Sequence, residues 1–463
     1  MQMPHRSFWL EETVGDAPIA PAWSGEGKAD IAVLGGGYVG LWTALEIKRQ
    51  DPGADVVVLE QDICGGGASG RNGGFALSWW PKISSLVKLC GREEGLAVAR
   101  DSEAAIGEIA DFFREHQIDI QFRKSPWLWT ATSNAQMGAW DSVVKVCEKL
   151  GVEAFRALPD TEIARRTGSP AHRAGVVDMT AATLHPARYV RGLRQVALKM
   201  GVRIFENTMV ESFTRTRPVR IRTGGGTVTA QKLVICNNAW AAGIRELSRS
   251  IVAITSDMIV TAPAQDALAR TGWTGGECIT DSQMMVDYYH VTADHRVAFG
   301  KGGWGIAYGG NLRPDFDRNR ARARAVEADF RRYYPLLKDV PVTHDWSGPI
   351  DRTPNSLPLL GRFAGQEQII YGVGWSGNGV GPSRIGGKIL ASLALDKHDR
   401  WSQYPLVGKS AGKFPPEPFR YVGAHLVRSA VARKERAEIM DRQPPWLAVQ
   451  LSKLAPKGLE DKE

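Results

Sequence analysis

At 463 residues, with 43% hydrophobic and 23% charged side chains, the chain has the size for two buried cores and the composition of a globular protein. Its formal net charge of +8 is modest, and the lack of aromatic interleaving among the basic residues argues against a nucleic-acid surface. No stretch approaches the roughly 20 apolar residues of a transmembrane helix, and the five scattered cysteines form no C-x-x-C pair, which excludes a zinc or disulfide framework and fits a reduced cytoplasm.

Residues 1–10 include His5, Arg6 and Ser7 and carry no apolar core ahead of a small-residue cleavage site, so no secretory signal is expected. Residues 29–34 then read as a short apolar strand, 38–50 as a helix with an apolar stripe of Val39, Leu41, Trp42, Leu45 and Ile47, and 56–59 as a second strand ending at Glu60 and Gln61. The turn between the first strand and the helix is G-x-G-x-x-G, with Gly35, Gly37 and Gly40. Gly35 permits the tight turn, Gly37 lets the backbone approach a pyrophosphate, and Gly40 lets the helix pack on its strand. The free amides of the helix N-terminus favour phosphate. The spacing from Gly37 to Glu60 matches the gap of about 20 residues to the acid that accepts the ribose hydroxyls.

The same pattern recurs at Gly65, at Gly300 and at Gly372, but none of these has a strand, a helix and a second strand around it. One dinucleotide site is therefore expected. The glycine-rich run 65–75 follows the second strand directly and places Ser69, Arg71, Asn72, Gly73 and Gly74 where a loop could wrap a ligand with backbone amides. A nicotinamide dehydrogenase has no need of it.

Further along, residues 287–290 and 296–305 read as paired strands, in which Tyr288 and His290 share one face by alternation. Arginines 313–332 crowd a helix read as a solvated face. Residues 368–371 form a buried strand feeding a loop that holds Gly374, Trp375, Gly377, Asn378, Gly379 and Val380, with a helix from Ser383 to Leu395. From about Lys413 the composition shifts to a proline-bounded helical extension.

The run A-S-G-R-N-G-G at 68–74, the strand K-L-V-I-C-N-N-A-W at 232–240, Trp346-x-Gly348, P-L-L-G at 358–361 and the loop at 370–381 together resemble the D-amino-acid-oxidase-like family of FAD proteins, nearest its gamma-glutamylputrescine-oxidase-like branch. The resemblance implies an α/β (α+β overall) protein of two discontinuous domains. A Rossmann-type FAD-binding domain would comprise residues 1–85, 181–245 and 341–410, and a mixed β-sheet substrate domain residues 86–180 and 246–340. Residues 411–463 would form a helical extension that packs on the FAD domain, joins subunits or lies on a membrane surface.

The resemblance also implies the chemistry: hydride removal from a carbon beside an amine nitrogen, hydrolysis of the imine, and reoxidation by O2 or another acceptor. Val210 would contact the adenine through its backbone. The 374–381 loop and the helix after it would stabilise negative charge at the flavin N1/C2 edge. Relatives often carry Arg where His290 stands; His290 could bind substrate or take an amine proton, beside Tyr288. Lys301 resembles a lysine that assists oxygen reduction. Amino-acid oxidases of the family place an Arg where this chain has Ile350; either Arg352 has inherited the carboxylate clamp or the substrate is not a simple α-amino acid. Trp79, Trp80, Trp304 and Trp375 suggest aromatic walls, with Trp304 and Trp375 against substrate. No cysteine or histidine lies in 346–361 or 65–75, so noncovalent FAD is expected. A flavin monooxygenase using NAD(P)H and a flavin-binding subunit of a larger dehydrogenase remain the alternatives at this point.

Overall fold

The computed structural model describes residues 4–15, 18–273, 276–456, 458, 460 and 461. Two 8-stranded sheets organise the chain. In the first, the strand Gly25–Leu34 lies between two parallel neighbours. Leu34 is paired in register with Leu59 of Val56–Leu59 on one side and with Ile235 of Gly226–Ile235 on the other. Arg203–Phe205 extends the sheet beyond Leu59, and Gln366–Val373 extends it beyond Ile235, again in parallel. Strands this hydrophobic form because both faces are covered: Val56 to Leu59 are fully buried. Because the register is shared, Gly35, Glu60, Cys236 and Gly374 all emerge at one carboxyl edge, where open α/β sheets bind ligands.

The helix Tyr38–Gln50 covers one face of this sheet and packs against Ser383–Ala394, so closely that a Cβ on Gly387 would lie 2.5 Å from that of Trp42. The helix Arg92–Glu115 closes over the pair, with Phe112 edge-on to Trp42 and Glu108 bound by Arg384 and Lys388.

The second sheet is mixed. Its order is Val342–Arg352, Val252–Thr261, Val297–Ile306, Asp287–Val291, Cys278–Thr280, Trp127–Ala131, Ala174–Asp178 and Arg156–Leu158. All pairings run antiparallel except Cys278–Thr280 with Trp127–Ala131. Residues 342–352, expected within the FAD-binding domain, pair along nearly their whole length with Val252–Thr261 of the second sheet.

The arginine-rich helix Arg320–Tyr333 is more than a solvated face. Arg322 reaches the buried Asp257 at 2.9 Å, and Arg331 and Arg332 pair with Glu327 and Asp329. The extension forms a helix Phe419–Ile439 that docks on the second sheet's side of the molecule. Its Arg420 donates to Ile251 O at 3.2 Å, and its buried Glu435 accepts the amides of Met284 and Met285 at 2.6 and 2.9 Å. Among the described residues no helix is long and apolar enough to cross a membrane.

Candidate functional site

A cavity of about 660 Å³ runs from the carboxyl edge of the first sheet to the underside of the second. At one end lie Gly35, Gly37, Glu60, Gln61 and Val210. Ser69, Arg71, Asn72 and Gly73 follow, with Gly377, Asn378, Gly379 and Val380 across from them. At the far end stand Tyr288, Arg352 and Trp375.

The turn is built as its glycines require. Gly35 has φ +109°, and a Cβ there would meet Cys236 O at 2.7 Å; one on Gly40 would lie 2.0 Å from Gly35 O. The helix Tyr38–Gln50 begins with Gly37 as its cap and no capping side chain of its own, and the Tyr38 amide donates to Ser69 Oγ at 3.0 Å. Glu60 accepts the Gly36 amide at 2.7 Å and the Asp62 amide at 3.0 Å, and burial nevertheless raises its carboxyl to about 7. Each oxygen keeps a lone pair for a further donor.

The loop that follows is braced from behind. Asn72 Nδ2 donates to Ser69 O and Tyr38 Oη, and its Oδ1 accepts the Gly74 amide at 2.9 Å. Ser7 caps the helix Phe8–Val14 and donates to Gly70 O, and Trp9 Nε1 donates to Asn72 O at 3.0 Å. The N-terminal helix Phe8–Val14 thus serves the loop. Arg71 borders the cavity, but its guanidinium is committed to Asp317 at 2.9 Å and to the carbonyls of Gly66 and Ser347. It is a strut between the loop and the second sheet, and burial lowers its pKa to about 10.

The glycine loop after Gln366–Val373 is held by a residue that sequence reasoning passed over. Buried Asp351 accepts the Gly374 amide at 2.5 Å and the Ser376 amide at 3.3 Å, while burial raises its carboxyl to about 6. Its only sequence signal is its place beside Arg352, a few residues past Trp346-x-Gly348. Gly40, Gly74 and Gly374 shape the backbone without lining the cavity.

Alternation sorts the second sheet's residues. Tyr288 is in register with Gly300, which has no side chain to block it, and its hydroxyl pairs with Ser256 Oγ at 2.7 Å. Burial raises its pKa, so it stays protonated at neutral pH. His290 shares that face but lies beyond the cavity. It stacks on Trp9 and meets Phe75 edge-on, and burial drops its pKa to about 4.

Lys301 is on the opposite face, in register with Asp257 and Asp287. Its Nζ lies 3.0 Å from Asp287 and 3.1 Å from Asp329; burial alone would lower its pKa, but these carboxylates outweigh burial and hold it charged. It does not reach the cavity. Trp304 also stands elsewhere, beside Arg428, which donates to its carbonyl, in a small separate pocket. Trp79 and Trp80 are core residues.

Arg352 does line the far end, half-buried, donating to Ser356 Oγ at 2.9 Å, its pKa lowered to about 10 by desolvation against the pull of Glu460 and Asp351. Glu460, also on the wall, had no signal in the sequence. Asn237, Asn238 and Trp240, the end of the K-L-V-I-C-N-N-A-W run, also line it, and their Oδ1, Oδ1 and Nε1 are buried with no hydrogen-bond partner among the described residues. Buried polar atoms of that kind mark a wall that meets a polar ligand.

A Rossmann-type edge with an acid at its second strand, a braced glycine loop and a roof of a second sheet define a two-domain flavin-nucleotide oxidoreductase. Residues 30–393 match the family described as DAO, FAD dependent oxidoreductase, and the chain belongs to that family. It is 27% identical over 405 residues to the probable oxidoreductase OrdL of Haemophilus influenzae, covering 86% of this chain and 90% of that one. It is 28% identical over 404 residues to the gamma-glutamylputrescine oxidoreductase of Escherichia coli, covering 85% and 91%. The structure of glycine oxidase from Geobacillus kaustophilus superposes with a TM-score of 0.67 at 19% identity, covering 82% and 98%. The chain is an FAD-dependent oxidoreductase, and the cavity, the orphaned polar atoms and the glycine cradle fit that cofactor.

Proposed function

We propose that the enzyme oxidises the C–N bond of an amine or N-substituted amino compound. FAD, when bound, would supply the two-electron acceptor for the hydride; the imine would then be hydrolysed, and dioxygen would take the electrons as hydrogen peroxide. The observation that carries this reading is the continuity of one cavity from the Gly35–Gly40 turn to Tyr288, Arg352 and Trp375. Two of the similar proteins are named for an amino compound, gamma-glutamylputrescine and glycine, which supports it.

In this reading Gly35, Gly37, Ser69 and the first turn of Tyr38–Gln50 hold the pyrophosphate, Glu60 the ribose, and Val210 the adenine. Asn378, Gly379 and Val380, on the same cavity, would hold the flavin ring. The substrate lies between Trp375 and Tyr288. A protonated Tyr288 hydroxyl, steadied by Ser256, orients a polar group of the substrate. Hydride transfer from a neutral amine needs no protein nucleophile. His290, neutral and out of reach, and Lys301, locked in ion pairs, act as framework.

Anaerobic mixing of the yellow protein with a panel of amines, α-amino acids and NADPH tests the proposal. Bleaching of the flavin by amines, with peroxide on admitting air, is the expected result. Bleaching by NADPH alone would replace the proposal with a monooxygenase.

A further inference from the structure

The helix Ile83–Cys90 begins at Lys82, whose side chain makes no capping bond. The C-terminal tail supplies the cap instead. Asp461 accepts the Ser85 amide at 2.7 Å, the Ser85 hydroxyl at 2.6 Å and Lys82 Nζ at 2.9 Å, and its own amide donates to Pro81 O at 2.8 Å. A carboxylate suits the free amides of a helix N-terminus. Lys82 and Asp461 are 1% and 4% exposed, so the fastening is buried. Pro81 lines the cavity, and so does Glu460, the residue before Asp461.

A second fastening holds the roof. Residues 281–286 connect Cys278–Thr280 to Asp287–Val291, and within that connection the amides of Met284 and Met285 find their acceptor in buried Glu435, at 2.6 and 2.9 Å. Met284 lines the cavity together with Val286 and Tyr288, yet it is 42% exposed, which puts it at the rim. Glu435 and Asp461 both lie beyond residue 393, where the match to the family ends.

We propose that the extension sets the width of the cavity mouth: Glu435 and Asp461 are positioning residues that hold Met284 at the rim and the Pro81–Glu460 wall in place, so that slender amines enter and bulky ones are excluded. The rim cannot spread without leaving the Met284 and Met285 amides unpaired, and the wall cannot move without uncapping Ile83–Cys90. This rests on the amine-oxidising reading above and narrows its substrate class.

The test uses the FAD-loaded full-length enzyme. E435A and D461A each remove one acceptor; E435Q and D461N lose the charge but keep an acceptor oxygen. Quenching of flavin fluorescence by iodide reads access to the site without turnover. The ratio of kcat/KM for 2,2-diphenylethylamine to that for butylamine reads selectivity. Each alanine variant should show steeper quenching and a ratio raised by roughly tenfold, the scale of one pocket contact, through KM rather than kcat. E435Q and D461N should stay with the unaltered protein. Quenching and ratio unchanged in the alanine variants overturn the proposal, as do equal changes in E435Q and D461N, which would assign the effect to charge. The two alanine changes act at separate points, so either one decides if the other does not fold. Unaltered protein whose flavin no amine bleaches overturns the reading beneath, while iodide still decides the role of the extension.

Discussion

Asp351 receives the Gly374 amide at 2.5 Å, tying the last strand of one sheet to the glycine loop of the other. That single carboxylate joins the substrate wall to the cofactor wall. D351A leaves the buried amides of Gly374 and Ser376 without this acceptor and should cost about 1–3 kcal/mol, measured by urea unfolding, with weakened FAD retention. Burial holds the Asp351 carboxyl at about 6, above the unfolded value of about 3.9. Its contribution to stability is therefore full below pH ~4 and is lost as pH rises through about 6. D351N, which cannot titrate, should flatten that slope. An unchanged pH profile in D351N removes Asp351 as its source.

Glu60 gives a second pH dependence of opposite sense, in binding. Burial puts its carboxyl at about 7, and donors from a ribose favour the ionised form as acceptor. FAD affinity of the apoprotein should therefore rise as pH climbs through about 7. E60Q should bind more weakly, by about tenfold for a lost charge-assisted bond, and show a flat profile. Flavin fluorescence quenching between pH 5.5 and 8.5 measures both, the range being chosen as about 1.5 units either side of the carboxyl.

Lys301 separates a structural role from a catalytic one. Its ammonium sits between Asp287 and Asp329 on the sheet face away from the cavity. K301M should destabilise the protein by about 3 kcal/mol at neutral pH, because two carboxylates lose a buried counter-charge. The loss should shrink in acid, where those carboxyls protonate. Thermal unfolding reads the first effect and stopped-flow reoxidation the second. Unchanged stability with slowed reoxidation would restore the oxygen-assisting role that the resemblance implies for Lys301.

The comparison of Tyr288 with Lys301 shows how far sequence reasoning reached. Alternation paired Tyr288 with His290 and needed only a strand, and both do share a face. Which face met the cavity depended on register: Tyr288 opposite Gly300 puts Lys301 opposite Asp287, on the far side. Trp304 failed for a similar reason, since the helix Phe419–Ile439 docks over it through Arg428. Arg71 was legible as part of the flavin loop but not as a strut, because Asp317 and Ser347, its partners, lie more than two hundred residues away.

The sequence alone determined the dinucleotide turn, the acid at the end of the second strand and the wrapping glycine loop. Those depend on backbone conformations that only short-range patterns of glycine, cap and strand can satisfy, and such patterns are contiguous in the chain. The tertiary structure decided the composition of the substrate end: the sheet to which residues 342–352 belong, the clamp of Asp351 on Gly374, and the arrival of the C-terminal Glu460 on the cavity wall. These are long-range contacts between distant parts of the chain, and no local periodicity records them.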